Sequence, residues 1–141
     1  MKREGSAVWS GDLKSGKGSV STDSGVLRET PYSFATRFEQ GAGTNPEELI
    51  AAAHAGCFSM ALSAQLGASG IVPERIETTA TVSLEKQDAG FAITAVHLDV
   101  RARIPGADRN AFDTAANEAK ANCPVSRVLN ARISMNAELE S

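Results

Sequence analysis

Residues 44 to about 68 limit the possible folds more than any other stretch, because they have the pattern of a long helix with almost no polar face. The stretch opens Thr-Asn-Pro-Glu-Glu, in which Asn45 suits the N-cap, Pro46 the first helical position and the acidic residues the first turn. Alanine and larger apolar residues then occur nearly all round the helix. Such a helix must be covered on more than one side, so we predict a central core helix.

The same run is interrupted too often to be expected as a membrane span. The interrupting residues are His54, Gly56, Ser59, Ser63 and Gln65. Residues 1–6 are basic, but no unbroken apolar stretch follows them, so no secretory signal is predicted and we expect a cytoplasmic protein. The net charge of −3 comes without a cluster of lysine and arginine, which argues against nucleic acid as a partner.

Period-two alternation predicts strands on both sides of this helix. Upstream we expect a hairpin from residues 7–9 and 18–22 and then a strand over 32–38, whose aromatic face carries Tyr32, Phe34 and Phe38 and whose other face carries Arg37. Downstream we expect a long antiparallel hairpin from residues 76–85 and 92–102, and a last strand over 131–139.

A second helix is predicted between the long hairpin and the last strand. Its apolar stripe is Phe112, Ala115, Ala116 and Ala119. Cys123 follows it, and Pro124 suits the start of a short helix through Leu129. These elements indicate an α+β fold with antiparallel sheet, and the 141 residues suit one domain.

The chain has two cysteines, Cys57 and Cys123, and no other strong nucleophile. In a reducing cytoplasm cysteines are more often free, metal-binding or catalytic than joined in a permanent disulfide. Cys57 and Cys123 lack the paired spacing of a zinc site. At an ordinary pKa only roughly 3% of a thiol is ionised at pH 7. A reactive Cys57, on an apolar helix, therefore needs a cation nearby, whereas Cys123 would be favoured as thiolate at the start of the helix from Pro124.

Each of these residues also has a structural explanation. Either cysteine could be a packed thiol, Arg37 a solvated strand residue, and Glu47 an acid that the first turn of a helix favours. His54 precedes Cys57 by one turn, yet a histidine hydrogen-bonded in the core is a more common arrangement than a Cys-His pair. Two alternatives to redox chemistry follow: a non-enzymatic stress or binding protein with buried structural cysteines, and a cysteine hydrolase that uses His54.

Several motifs together resemble the osmotically inducible protein C (OsmC) family, and the likeness covers nearly the whole chain in the family's order. They are Gly16-Lys17-Gly18-Ser19-Val20-Ser21-Thr22, Thr36-Arg37-Phe38-Glu39, Thr44-Asn45-Pro46-Glu47-Glu48-Leu49-Ile50, His54-Ala55-Gly56-Cys57-Phe58-Ser59-Met60-Ala61-Leu62, Asp88-Ala89-Gly90-Phe91-Ala92-Ile93-Thr94 and Asn122-Cys123-Pro124-Val125-Ser126. These motifs resemble this branch more than its organic hydroperoxide resistance (Ohr) sister.

The resemblance implies a bacterial thiol-dependent peroxidase that reduces organic hydroperoxides and, less well, hydrogen peroxide. It implies antiparallel sheets wrapped around two central helices in an intertwined homodimer, with sites at the subunit interface. The resemblance also points to a lipoylated protein as the dithiol reductant, and we expect no cofactor and no metal. By the same resemblance Cys57 is the peroxidatic cysteine, Cys123 the resolving cysteine, and Arg37 and Glu47 the family's arginine and glutamate.

One departure from the family pattern is Gly56, where alanine is more usual, and glycine there lowers helix propensity next to the nucleophile. Phe38, Phe58, Met60 and Leu62 could form the apolar rim that an alkyl hydroperoxide needs, although a core position is the more common one for such residues.

The spacing of Glu47 and Cys57 adds a constraint. On one straight helix ten residues place them about 15 Å apart along the axis and roughly 80° apart around it. Either the helix is interrupted between them or Glu47 comes from a partner chain. The interfacial site that the resemblance implies favours the second, so we predict a composite site.

Overall fold

The computed structural model describes residues 1–140, which divide between two compact units, Met1–Leu49 and Ile50–Ser141. The predicted α+β class is confirmed: each unit carries a three-stranded sheet, and helices occur in both. That all 141 residues form one domain stays a prediction.

The first unit contains strands β1 (Gly5–Ser10), β2 (Lys17–Thr22) and β3 (Thr30–Tyr32) in one antiparallel sheet. The predicted hairpin of β1 and β2 is confirmed. In its register Gly18 lies opposite both Trp9 and Tyr32, and these two rings approach each other with centroids 5.5 Å apart.

The predicted strand over residues 32–38 is wrong beyond Tyr32, because Phe34–Phe38 form a short helix, α1. Ser33 caps it: the Thr36 amide donates to the Ser33 hydroxyl, and the Ser33 amide donates to the Thr36 hydroxyl. These reciprocal bonds satisfy two backbone donors that a strand would have paired elsewhere. The local cap therefore outweighs the alternating pattern of aromatic residues, and Arg37 lies in the last turn of a helix.

The predicted long helix is confirmed as α2, Pro46–Gly67, and it runs without interruption. The Asn45 side chain accepts from the Glu48 amide at 2.7 Å, as expected of the N-cap. One face, at a spacing of four residues, is buried: His54, Phe58, Leu62 and Leu66. By length and hydropathy α2 could cross a bilayer. That buried face instead makes it the core helix of the second unit.

Another face of α2 is exposed, and it consists mostly of small residues: Ala53, Gly56, Met60, Ser63, Ala64 and Gly67. Met60 is 78% exposed, and a Cβ built on Gly56 would meet nothing within 4 Å. We expected α2 to be covered on more than one side. Within the second unit only one side of the helix is buried.

The second unit contains β4 (Arg75–Gln87), β5 (Gly90–Arg103), α3 (Arg109–Asn122), α4 (Pro124–Val128) and β6 (Arg132–Glu140). The predicted hairpin, second helix, short helix and last strand are all confirmed. The β4–β5 pair is antiparallel with an irregularity at Ser83/Leu84, but β6 runs parallel to β5. The sheet is therefore mixed, because α3 and α4 carry the chain back to the end at which β5 began.

The core of this unit lies between the sheet and the helices. It is built from Phe58, Leu62 and Leu66 of α2, the inward side chains of β5, the predicted stripe of α3, and Ile104 and Cys123. Val96, Leu98, Val100 and Ala102 alternate along β5 as the sequence predicts. This core fixes α2 and the α3–α4 connection, the two segments that carry the cysteines.

Candidate active site

Cys123 lies between α3 and α4 and takes the N-cap position of α4. Its backbone is extended, with φ −62° and ψ 140°, as a residue before proline prefers. Its Sγ accepts from the Ser126 amide at 3.4 Å and lies 3.1 Å from the Ser126 hydroxyl. The residue is 1% exposed, so its thiol is held against the core by local bonds.

Cys57 lies on α2, is half-buried and packs against the same core. Its thiol is within hydrogen-bonding reach of Cys123, and neither cysteine is in a disulfide. Burial raises the pKa of Cys57, the Val125 backbone bond lowers it, and the hydrogen bond and charge of Cys123 raise it again. Among the described residues of the second unit, none of the groups that set this pKa is a cation. The predicted need for a cation therefore stands.

Arg37 and Glu47 form an ion pair in the first unit. Nε and Nη2 of Arg37 donate to Oε1 of Glu47 at 2.9 and 2.7 Å. The Glu47 side chain is 11% exposed and that of Arg37 38%. The Asn45 amide group also donates to the Thr36 carbonyl oxygen at 3.0 Å, which ties the start of α2 to α1. The carboxylate therefore fixes the direction of a guanidinium that still reaches solvent.

An aromatic cleft of about 300 Å³ adjoins Arg37 in this unit. The guanidinium carbon lies 5.3 Å from the centroid of the Phe38 ring, and the Phe34 and Phe38 rings are 4.9 Å apart. Its lining residues are Trp9, Leu13, Tyr32, Ser33, Phe34, Arg37 and Phe38. The cleft combines one cation with apolar walls.

Of the residues proposed as an apolar rim, Phe38 alone lines this cleft. Phe58 and Leu62 are fully buried in the core of the second unit, and Met60 is exposed. Sequence reasoning missed Trp9, Tyr32 and Phe34. Tyr32 and Phe34 alternate with Phe38 in the sequence and could have been found from that pattern, whereas Trp9 lies on β1 and no local pattern connects it to them.

His54 is fully buried and does not bond Cys57. Its Nε2 lies 2.7 Å from the Ser126 hydroxyl oxygen, and its Nδ1 has no hydrogen-bond partner among residues 1–140. Burial lowers the pKa of His54. The expectation of a histidine hydrogen-bonded in the core is confirmed, and a Cys57–His54 dyad is not formed.

Comparison with known proteins agrees with this arrangement. A family model described as OsmC-like protein matches residues 39–138. The chain belongs to the OsmC-like family. It is 58% identical over 141 residues to the peroxiredoxin OsmC of Escherichia coli, covering 100% of this chain and 99% of the relative. The predicted resemblance is therefore confirmed.

The Ohr branch is more distant, as the motifs indicated. The organic hydroperoxide resistance protein OhrB of Bacillus subtilis is 31% identical over 124 residues, which cover 87% of this chain and 89% of the relative. The crystal structure of OhrB superposes with a TM-score of 0.68 at 25% identity, covering 97% of this chain and 98% of that one. The OsmC-like fold is thus shared by both branches.

The predicted site residues of this OsmC-like chain form two pairs. Cys57 and Cys123 meet in the second unit, and Arg37 and Glu47 meet in the first. Among residues 1–140 no group of three or more His, Cys, Asp and Glu side chains is placed to hold a metal ion. The catalytic roles of the four residues stay predictions.

Proposed function

We propose that this protein is a thiol-dependent peroxidase that reduces organic hydroperoxides and, less well, hydrogen peroxide. The names of its relatives, peroxiredoxin and organic hydroperoxide resistance protein, bear out the predicted class of activity. The observation that carries the proposal for this chain is the contact between two free thiols, one half-exposed and one buried behind it. A reversible disulfide requires such a pair.

The reaction begins at Cys57. Its thiolate attacks one peroxide oxygen, the O–O bond breaks, the alcohol leaves after taking a proton, and Cys57 becomes a sulfenic acid. Cys123 then attacks the Cys57 sulfur, which forms the disulfide and releases water. An external dithiol returns both cysteines to the reduced state. The reductant is expected to be a dithiol because it must reduce a disulfide, and a lipoylated protein is a candidate.

Arg37 would supply the cation that the surroundings of Cys57 lack. A guanidinium near the sulfur stabilises the thiolate and can also bind the peroxide oxygen that becomes the alkoxide. The aromatic cleft beside Arg37 would accept the alkyl or aryl group of the hydroperoxide. Glu47 would hold Arg37 in this orientation.

The site is proposed to be complete only in a homodimer. The helix α2 is unbroken from Pro46 to Gly67, so an interruption between Glu47 and Cys57 is excluded. Their spacing on this helix therefore favours a site in which Glu47 of one chain acts on the Cys57 thiol of another. The exposed face of small residues around Met60 is suited to close packing against a second copy. We expect this dimer to work in the cytoplasm, where the thiols stay reduced.

The test is a single turnover. Reduced protein is mixed with stoichiometric cumene hydroperoxide, and alcohol and free thiols are followed alongside Cys57→Ser and Cys123→Ser. Loss of two thiols per alcohol is expected, abolished by the first substitution and stopped at the sulfenic acid by the second. Unreacted thiols without alcohol would instead identify a stress or binding protein. The hydrolase alternative predicts that an ester substrate gives a covalent acyl-enzyme and that this activity survives loss of Cys123.

A further inference from the structure

His54 and Ser126 have no part in the chemistry proposed above, yet they are joined to it. His54 is fully buried on α2, and Ser126 lies on α4, 72 residues along the chain. Burying an imidazole with one unbonded ring nitrogen lowers the stability of the fold, so the presence of this histidine calls for an explanation.

Hydrogen bonds connect these two side chains to the thiol of Cys123. Nε2 of His54 lies 2.7 Å from Oγ of Ser126, and this oxygen lies 3.1 Å from Sγ of Cys123. The Ser126 amide donates to the same sulfur at 3.4 Å. The serine hydroxyl can therefore accept from the thiol while it donates to the imidazole, or donate to a thiolate while it accepts from an imidazolium.

We propose that His54, acting through the Ser126 hydroxyl, receives the proton of Cys123 when this thiol attacks the oxidised Cys57. The inference rests on the proposed peroxidase function and adds residues for its second step. Ser126 touches the reacting sulfur and is catalytic in this step, whereas His54 acts through Ser126 and is a positioning residue.

Protons and electrons balance as follows. The Cys123 proton passes to Ser126 Oγ, and the original hydroxyl proton of Ser126 passes to Nε2 of His54. The Cys123 sulfur forms the S–S bond with its electron pair, the S–O bond of Cys57 breaks, and hydroxide leaves. The hydroxide takes a proton equivalent to the one held by His54 and becomes water. No further oxidant or reductant is needed, because the peroxide has already oxidised Cys57.

The surroundings of His54 suit a proton acceptor. Burial is the only cause that shifts its pKa, and the shift is downward, so the ring is neutral and able to accept at neutral pH. No charged group contributes to that shift. The hydrogen-bonded chain leads from His54 through Ser126 to the thiol of Cys123, and Cys57 interacts with Cys123 in turn, while Arg127, the residue after Ser126, is exposed.

The test separates the two steps in a rapid-mixing single turnover with cumene hydroperoxide. Ser126→Ala and His54→Gln are expected to release alcohol at the wild-type rate but to form the disulfide about 100-fold more slowly, a typical contribution of general base catalysis. The sulfenic acid should accumulate and be trapped by dimedone. Ser126→Thr, which keeps the hydroxyl, should restore most of the rate.

The pH profile distinguishes proton transfer from a structural role. The wild-type rate of disulfide formation should change little with pH around neutrality, because burial lowers the pKa of His54 and keeps this base neutral. In His54→Gln this rate should fall steeply as the pH is lowered, because the thiolate must then form by exchange of its proton with solvent. Equal pH slopes in both proteins, or equal rates, would overturn the proposal.

The chain offers a matched control in His97 and Ser134. They join β5 to β6 through the same kind of bond, Nδ1 of His97 to Oγ of Ser134 at 2.7 Å, and neither cysteine takes part in it. His97→Gln and Ser134→Ala should leave both steps unchanged. An equal slowing of disulfide formation in these variants would overturn the assignment to His54 and Ser126.

A second measurement is independent of peroxidase activity. Cys57→Ser leaves one thiol, whose ionisation is followed by thiolate absorbance. Adding Ser126→Ala should raise the pH at the midpoint of this titration, because the thiolate loses a hydrogen-bond donor, while adding Ser134→Ala should not. If the wild type releases no alcohol, the peroxidase proposal fails, and this titration still decides whether Ser126 serves Cys123: an unshifted midpoint overturns it.

Discussion

Arg37 directs two nitrogens at a single oxygen of Glu47, whose other oxygen, Oε2, is buried without a hydrogen-bond partner among residues 1–140. The two bonds engage Nε and Nη2, and Nη1 is not bonded to Glu47; in the proposed mechanism it binds the peroxide or the thiolate. An unsatisfied buried carboxylate oxygen costs stability, about 1–3 kcal/mol or more. The two bonds to Oε1 therefore fix the orientation of the Arg37 guanidinium, although the second carboxylate oxygen has no partner among residues 1–140.

Glu47→Gln should keep the shape of this pair and remove its charge. We expect the reaction of Cys57 with hydroperoxide to slow by about tenfold or more, because a neutral acceptor holds Arg37 by weaker bonds. The measurement is the rate of alcohol release in a single turnover.

The exposed pair Arg109–Asp113, with Nε and Oδ1 3.0 Å apart, provides the control for this substitution. Asp113→Asn should leave the rate unchanged and alter the free energy of unfolding by less than about 0.5 kcal/mol. Equal rates for Glu47→Gln and the wild type would show that Glu47 acts only as an acid in the first turn of α2.

Arg37→Ala should raise the pH at which the Cys57 reaction is half-maximal. Burial and Cys123 already raise the pKa of Cys57, and a nearby cation would lower it by stabilising the thiolate. The thiolate reacts, so removing the cation moves the rise in rate to higher pH. The check is the rate of sulfenic acid formation against pH, and an unmoved profile removes Arg37 from the mechanism.

Cys123→Ala should have the opposite effect on Cys57. Both the hydrogen bond and the charge of Cys123 raise the pKa of Cys57, while the Val125 backbone bond that lowers it remains. The thiolate should therefore form at lower pH. Alkylation of Cys57, located by mass spectrometry and followed against pH, measures the change; a midpoint that stays or rises would contradict the prediction.

Much of the fold could be predicted from local patterns. Asn45, Pro46 and the apolar run that follows determine α2, and the stripe of α3 matches its buried residues. The reciprocal Ser33–Thr36 cap was missed because alternating aromatic residues gave a stronger signal than a short cap. The direction of β6 was also missed, since alternation predicts a strand but not its partner's direction.

The candidate site was predictable in its residues but not in its contacts. The motifs that resemble the OsmC family pointed to both cysteines, Arg37 and Glu47. The bond between His54 and Ser126 joins residues 72 positions apart, and no local pattern encodes it. Such contacts are fixed by the packing of the core between α2 and the α3–α4 connection.

Gly18→Ala should disturb the aromatic cleft. A Cβ at this position would lie 2.5 Å from Cε1 of Tyr32 and 2.6 Å from Cε3 of Trp9, closer than carbon atoms can approach. Separating the rings should cost about 1–3 kcal/mol and raise the KM for an aryl hydroperoxide. Trp9 is the only tryptophan, so its fluorescence reports the change directly.

A control for Gly18→Ala lies on the neighbouring strand. The added Cβ of Gly5→Ala would be 3.7 Å from the nearest atom, the Ser21 carbonyl oxygen, which is an ordinary contact. Its fluorescence and KM should match the wild type. If Gly18→Ala also behaves like the wild type, the Trp9 and Tyr32 rings do not shape the binding of substrate.

Mixing two impaired variants, at a pH where Arg37→Ala reacts slowly, should restore activity if the site is composite. Arg37→Ala keeps Cys57, and Cys57→Ser keeps the Arg37–Glu47 pair. In a mixed dimer whose sites are shared between chains, Cys57 of the first variant meets Arg37 of the second, and one complete site results. Random association of equal amounts makes about half of the dimers mixed, so about a quarter of the wild-type activity is expected.

The mixture is prepared by refolding the two variants together, and each variant refolded alone provides the baseline. Alcohol release is measured per mole of total chain in the unfractionated mixture, and mixed dimers isolated by a tag on one chain should reach about half of the wild-type value, since one of their two sites is complete. If Arg37 and Cys57 act within one chain, every site of the mixed dimer lacks one of them, and activity stays at the baseline. That outcome would refute the composite site, because Arg37 on α1 and Cys57 on α2 would then act within a single chain.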